Sequence, residues 1–223
     1  PNVIKFDEPV CGFKYWMGIN PYTDTNENYE LPYIYGSNSD SLDSWTLISD
    51  FAQPFDVDPP NTGGVVSGHL SDSAFTYDPI NGELWFFWRQ TLYFDAGRTR
   101  ENAKQTFFGR KTKDGQTWSE KLIVYPQYTI NNDTRYSPAI VFNAKDGLFY
   151  LYYITFAGAL GCETSESLTN PTWKKLADIQ LPFIAWHLEM KWLGDSLVAL
   201  VHSDTIDQLY LGISRDMKTF EWG

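Results

Sequence analysis

The sequence predicts an all-β fold, a β-propeller of four-stranded antiparallel blades, and three observations carry that reading. Helical spacing is almost absent, with only residues 98–104 suited to a brief turn. The apolar segments are short, strongly aromatic and bounded by Asn-Gly or Asp-Gly turns, the best short-range hairpin signal. The same strand pattern also returns four times. At 223 residues the chain can bury a sizeable core, and 9 Trp, 14 Tyr and 15 Phe supply the material for one.

Each repeat begins with a short strand running from polar to apolar residues. These openings are Pro1-Asn2-Val3-Ile4, Ser71-Asp72-Ser73-Ala74-Phe75, Tyr136-Ser137-Pro138-Ala139-Ile140 and Trp186-His187-Leu188-Glu189-Met190. A second strand follows at Phe13–Met17, Glu83–Trp88, Leu148–Tyr153 and Ser196–Val201, three of them after Asn81-Gly82, Asp146-Gly147 or Gly194-Asp195. Each repeat then closes with a polar turn and an aromatic: Asp40 to Trp45, Thr112 to Trp118, Thr164 to Trp173 and Ser214 to Phe220. A large flat side chain at that point buries area within or between sheets, so Trp16, Trp85, Trp118 and Trp173 are expected to be largely buried. The openings are 70, 65 and 50 residues apart (2 to 72, 72 to 137, 137 to 187), which suits blades of about 1–60, 61–130, 131–180 and 181–223 in one domain.

Composition limits the partners. The net charge is −11, so a phosphate backbone or an anionic membrane surface is disfavoured. The longest fully apolar run, Leu148 to Ile154, is far short of the roughly 20 residues of a membrane helix. No signal peptide opens the chain, which starts at Pro1-Asn2-Val3 as though cut from a longer one. Cys11 and Cys162, 151 positions apart, make no dense disulfide framework. The Asn132-Asp133-Thr134 sequon reads as chance. Aromatic faces and carboxylates leave a neutral sugar as the natural partner.

In a propeller the first strand of each blade lines the axis, so Asn2, Asp72, Ser137 and His187 are expected around one mouth. Asn20, Tyr22 and Arg89 should stand beside them, with Glu30 and Glu189 as further carboxylates. Trp88 and Trp186, with Tyr22, are the aromatic faces expected to hold a sugar. The three histidines, His69, His187 and His202, show no close metal-ligand spacing. No phosphate loop or nucleophile elbow is present.

Five segments in order resemble the five-bladed propellers of glycoside hydrolase family 43 and its relatives. They are "PNVIKF…GFKYWM", "YELPYIYGSNSD", "LSDSAFTYDPINGELWFFWRQ", "RYSPAIVF" and "AWHLEMKWLGDSLVALV". The resemblance spans essentially the whole chain and implies five blades, of which four are visible here and the fifth is missing or outside this chain; a shorter four-bladed ring is the alternative. It also implies a base in the first opening, a pKa-adjusting Asp in the second and a Glu acid in the third. Asn2, Asp72 and Ser137 stand there instead, so two of the three carboxyls that cleavage needs are missing. Similar domains serve as receptor-binding or platform parts of phage tail proteins.

The expected function is therefore a carbohydrate-binding propeller with degenerate glycosidase positions, in a virion tail or extracellular. Its partner would be a glycan or cell-wall polysaccharide, and analogy suggests a homotrimer. A glycoside hydrolase acting on arabinose- or xylose-containing glycans is the alternative, with Glu30, Asp72 and Glu189 as its candidate catalytic residues. A purely structural or protein-interaction propeller is the second alternative. No cofactor is indicated; the resemblance allows a cation at His187, and Ca²⁺ has no loop motif behind it.

Overall fold

The computed structural model describes residues 2–22, 30–57, 59, 62–131, 134–203 and 208–223. Pro1 of the first opening and Asn132-Asp133 of the sequon lie outside them. Among the described residues, sixteen strands form four four-stranded antiparallel sheets, each in simple sequential order. Blade 1 holds β1 (Asn2–Val10), β2 (Phe13–Ile19), β3 (Tyr33–Ser37) and β4 (Thr46–Leu47). Blade 2 holds β5 (Ser67–Asp78), β6 (Glu83–Tyr93), β7 (Ala103–Thr112) and β8 (Leu122–Thr129). Blade 3 consists of β9 (Tyr136–Asn143), β10 (Leu148–Ile154), β11 (Leu160–Ser165) and β12 (Lys174–Lys175). Blade 4 consists of β13 (Ala185–Leu193), β14 (Ser196–Ser203), β15 (Gln208–Ser214) and β16 (Glu221–Trp222). A 3₁₀ turn at Arg100–Asn102 falls where the brief helical turn was expected.

The chain divides into two compact units, Pro1–Asn131 and Asn132–Gly223, each containing two blades. In the first unit, Trp16 and Ile34 of blade 1 pack with Leu70, Phe75, Phe86 and Trp88 of blade 2. Every ring there prefers an edge or tilted approach, as the ring quadrupole favours: Phe55 meets Phe86 at 5.0 Å and Trp118 at 4.7 Å. In the second unit, Tyr150, Tyr152, Ile154, Leu160 and Cys162 of blade 3 pack with Ala185, Met190, Leu197, Ala199 and Val201 of blade 4. Cys11 and Cys162 are unbridged thiols. Trp16 and Trp85 are fully buried, as expected, but Trp118 and Trp173 are only half-buried. They lie in the closing turns, Trp118 packed against Trp16, Phe51 and Phe55.

Two closing turns share one hydrogen-bond scheme. Asp114 Oδ1 accepts from the amides of Gln116 and Thr117 and from the Thr112 hydroxyl. Asp216 Oδ1 accepts from the amides of Lys218 and Thr219 and from the Ser214 hydroxyl. These donors hold both carboxyls well below the usual carboxylate range. The next residue takes positive φ in each turn, as Gly115 (+76°) and Met217 (+64°). Gly115 has a second constraint, since a Cβ there would collide with Val10, whereas Met217 has room and is buried.

The outward face of blade 4 is apolar and exposed. Leu200 pairs with Leu211 and Val198 with Ile213 across β14 and β15, and Leu209 continues the row.

Candidate functional site at the blade openings

The opening strands of blades 2, 3 and 4 share a device that sequence alone did not reveal, a one-residue β-bulge. In blade 2, Ser71 pairs with Arg89 and Ala74 with Phe87, so Asp72 and Ser73 together oppose Trp88. In blade 3, Tyr136 pairs with Ile154 and Ala139 with Tyr152, so Ser137 and Pro138 together oppose Tyr153. In blade 4, Trp186 is the extra residue between Ala185 and His187, which pair with the consecutive Ser203 and His202. A bulge bends its strand and re-aims a side chain. Asp72 and Ser137, at equivalent positions, both adopt positive φ, +56° and +46°. That conformation costs a non-glycine residue about 1–3 kcal/mol, and it occurs here twice at the same place.

In the first unit the bulge presents an ion pair. Arg89 Nε lies 2.7 Å from Asp72 Oδ2, and the two side chains are only 10% and 15% exposed. Asn20 bridges the blades, its Oδ1 accepting from the Ser73 amide at 2.8 Å and its Nδ2 donating to the Glu30 carbonyl at 2.9 Å. Asn2 Oδ1 accepts from the Phe75 amide at 3.2 Å. Asn2, Asn20, Asp72 and Arg89 are thus brought together, with the Glu30 backbone tied to them. The hydroxyls of Ser71 and Ser73, both buried, find no hydrogen-bond partner among the described residues. Above them on the same sheet, Gln105 Nε2 donates to Thr91 Oγ1 at 3.2 Å, and Gln105 Oε1 accepts from the Tyr128 hydroxyl at 2.5 Å. Tyr22 is exposed.

Trp88 needs correction. It was expected as an aromatic face for a sugar, but it is fully buried, with its indole N–H donated to Asp56 Oδ2 at 3.0 Å. Asp56 also accepts from Lys121 at 2.9 Å. Neighbouring strand residues point to opposite faces, so presenting Arg89 at the opening sends Trp88 into the core.

In the second unit the bulge presents a hydroxyl to an imidazole. Ser137 Oγ and His187 Nδ1 are 2.7 Å apart, joining blades 3 and 4 across 50 residues of sequence. Beside this pair, the rings of Tyr136 and Trp186 approach with centroids 5.0 Å apart. Trp186 and His187 are exposed, and the His202 ring lies 6.2 Å from that of His187. Glu189 is two residues further along β13 on the His187 face, opposite Leu200.

Sequence reasoning missed the charge network beneath this bulge. Arg135 donates through Nε and Nη2 to Glu163 Oε1 at 2.9 and 2.7 Å, and the Tyr153 hydroxyl donates to the same oxygen at 3.0 Å. Arg135 and Glu163 are 4% and 2% exposed. The signal was a charge inside an otherwise buried strand, Leu160-Gly161-Cys162-Glu163-Thr164-Ser165, and an arginine directly before the third opening. Tyr136 was likewise missed as an aromatic lip.

Among the described residues, no group of three or more His, Cys, Asp or Glu side chains is gathered as a metal site would need. Among the same residues, no helix is long and apolar enough to cross a membrane. Cavities of about 330 and 340 Å³ lie away from the openings, at closing turns around Trp118 and around Ser165 to Thr172.

No protein-family model matches the chain, and no curated protein matches it. Solved structures do. An N-acetylgalactosamine deacetylase from F. plautii, in complex with blood group B trisaccharide, superposes with a TM-score of 0.75 at 17% identity, over 99% of this chain and 67% of that one. The GH43 protein BlXynB of Bacillus licheniformis gives 0.61 at 12% identity, over 93% of this chain and 38% of that one. An exo-β-1,3-galactanase from Phanerochaete chrysosporium, with β-1,3-galactotriose, gives 0.60 at 10% identity, over 94% and 46%. The chain therefore spans from about two fifths to two thirds of the length of these proteins. Likeness at such identity shows the fold, an all-β propeller of four-stranded antiparallel blades.

Proposed function

We propose that this propeller binds a carbohydrate at its blade openings and does not cleave glycosidic bonds. The observation that carries the reading is the exposed Trp186 ring, tilted against Tyr136 beside the Ser137–His187 pair. An aromatic face next to a few fixed polar groups is how a sugar ring is held and oriented. The Asp72–Arg89 pair and the buried Ser71 and Ser73 hydroxyls supply the same kind of groups in the first unit. Solved relatives of this fold carry a trisaccharide and a galactotriose, which supports the ligand class.

Cleavage needs a carboxylic acid and a carboxylate across the scissile bond. Asn2 has an amide committed to the Phe75 N–H, and Ser137 has a hydroxyl bonded to His187. Neither can fill those roles, and Asp72 is held by Arg89.

We further propose that the chain is a receptor-binding or platform domain of a phage tail protein, binding a cell-wall polysaccharide and completed by a fifth blade. The exposed apolar row on blade 4 supports that completion, since the facing rows of blade 3 are covered by a neighbouring blade. A glycan microarray tests the central reading. Binding that falls in both Asp72→Asn and Trp186→Ala is expected. An array on which the protein binds nothing contradicts it and promotes the structural or protein-interaction alternative.

A further inference from the structure

We propose that Ser137 and His187 form a nucleophile–base dyad that removes an acyl group from an acylated sugar. The sugar half of this substrate rests on the carbohydrate reading above, and the acyl-transfer half on Ser137 and His187 alone. A serine hydroxyl is a weak nucleophile until an adjacent base takes its proton. Ser137 Oγ stands 2.7 Å from His187 Nδ1, within reach for that transfer.

The backbone argues for more than a tether. Ser137 is a non-glycine residue at φ +46°, and such strain gathers at sites where a side chain must be held in an unusual direction. The serine is gripped on both sides. Pro138 follows with a fixed φ, and Arg135, two residues upstream, is locked to buried Glu163. Ser137 itself is 7% exposed while His187 and Trp186 are exposed, so an ester would approach past the Tyr136–Trp186 lip. The equivalent bulge in blade 2 shows the device reused for other chemistry, with Asp72 bound to Arg89.

The reaction balances without a cofactor. Ser137 Oγ adds to the ester carbonyl carbon as its proton passes to His187 Nδ1. The tetrahedral intermediate expels the sugar oxygen, which takes that proton and leaves the acyl group on Ser137. Water then adds to the acyl carbonyl, giving a proton to His187. Ser137 Oγ departs, recovers the proton, and the carboxylic acid is released.

Diisopropyl fluorophosphate on the whole 223-residue chain provides the test, read by intact mass and peptide mapping. One adduct on Ser137 is expected. It should be lost in Ser137→Gly, where glycine keeps the positive φ without strain, and in His187→Gln, where the amide still hydrogen-bonds but cannot take the proton. Turnover of 4-nitrophenyl acetate should fall at least 100-fold in each, with unchanged thermal melts. No adduct, an adduct on another serine, or full turnover in Ser137→Gly overturns the dyad. Acetate release from tetra-O-acetyl xylose is the expected result for the sugar half. An adduct and ester turnover without that release, and without binding on the array, break the carbohydrate reading and overturn the acylated-sugar substrate. Array binding without an adduct overturns the dyad and leaves the binding reading standing.

Discussion

The bulge of blade 2 and the bulge of blade 3 use one backbone to present two chemistries. Both insert one residue into the opening strand, and both put a non-glycine residue at positive φ. Blade 2 presents a carboxylate, clamped by an arginine on the next strand. Blade 3 presents a hydroxyl bonded to a histidine of blade 4, and keeps its own arginine–carboxylate pair buried beneath the bulge. Where the charge pair sits decides what it does. At the opening it is placed where the proposed ligand would meet it; beneath the opening it fixes the strand. Backbone geometry is thus the repeated element and side-chain chemistry the variable one, as expected where function is grafted onto a fold.

The largest expected effect tests that division. Arg135→Met leaves the Glu163 charge buried without its partner and should destabilise the protein by about 3–5 kcal/mol, read by denaturant unfolding. Asp72→Asn should behave in the opposite way. It keeps most of the fold's stability and weakens glycan binding by about 10- to 100-fold, the range for losing a charged hydrogen bond, read by calorimetry. If Asp72→Asn costs as much stability as Arg135→Met, the two pairs play the same part and the contrast fails. A smaller effect is expected for Trp186→Ala, about tenfold weaker binding with an unchanged melt, against no effect on binding for Asp114→Asn at the distant closing turn.

The smallest effect concerns pH. Asp114 and Asp216 have folded pKa values depressed by backbone amide donors. Their contribution to stability is therefore complete above the unfolded value near 3.9 and is lost as pH falls below it toward the folded values. Melting curves from pH 5 down to pH 2 should show a falling midpoint, with a shallower fall in Asp114→Asn and Asp216→Asn. An identical slope in both variants and the parent would remove these turns from the acid response.

The strands were legible because turn residues and aromatic runs mark them locally. Asn81-Gly82 closes the β5–β6 hairpin, with Gly82 at φ +64°, a conformation that glycine adopts without strain. The bulges were not legible, because one extra residue in a strand leaves no compositional mark. Trp88 was misread for a related reason. Leu84 to Trp88 is apolar throughout, so alternation cannot say which ring faces the core and which the opening. The Arg135–Glu163 pair joins the residue just before β9 to one on β11, 28 positions apart, a separation set by the sheet and invisible to local spacing. The Ser137–His187 meeting was within reach of the repeat alignment, because both residues open equivalent strands, but their hydrogen bond depends on the bulge.

The most direct measurement of the central claim is prolonged incubation of the protein with an oligosaccharide selected on the array. Calorimetry establishes occupancy, and mass spectrometry then follows the sugar. Saturable binding that Asp72→Asn weakens is expected, with every glycosidic bond intact at the end. Shortened oligosaccharides that appear with the parent and vanish with Glu30→Gln or Glu189→Gln would contradict it and establish a glycoside hydrolase with relocated carboxylates.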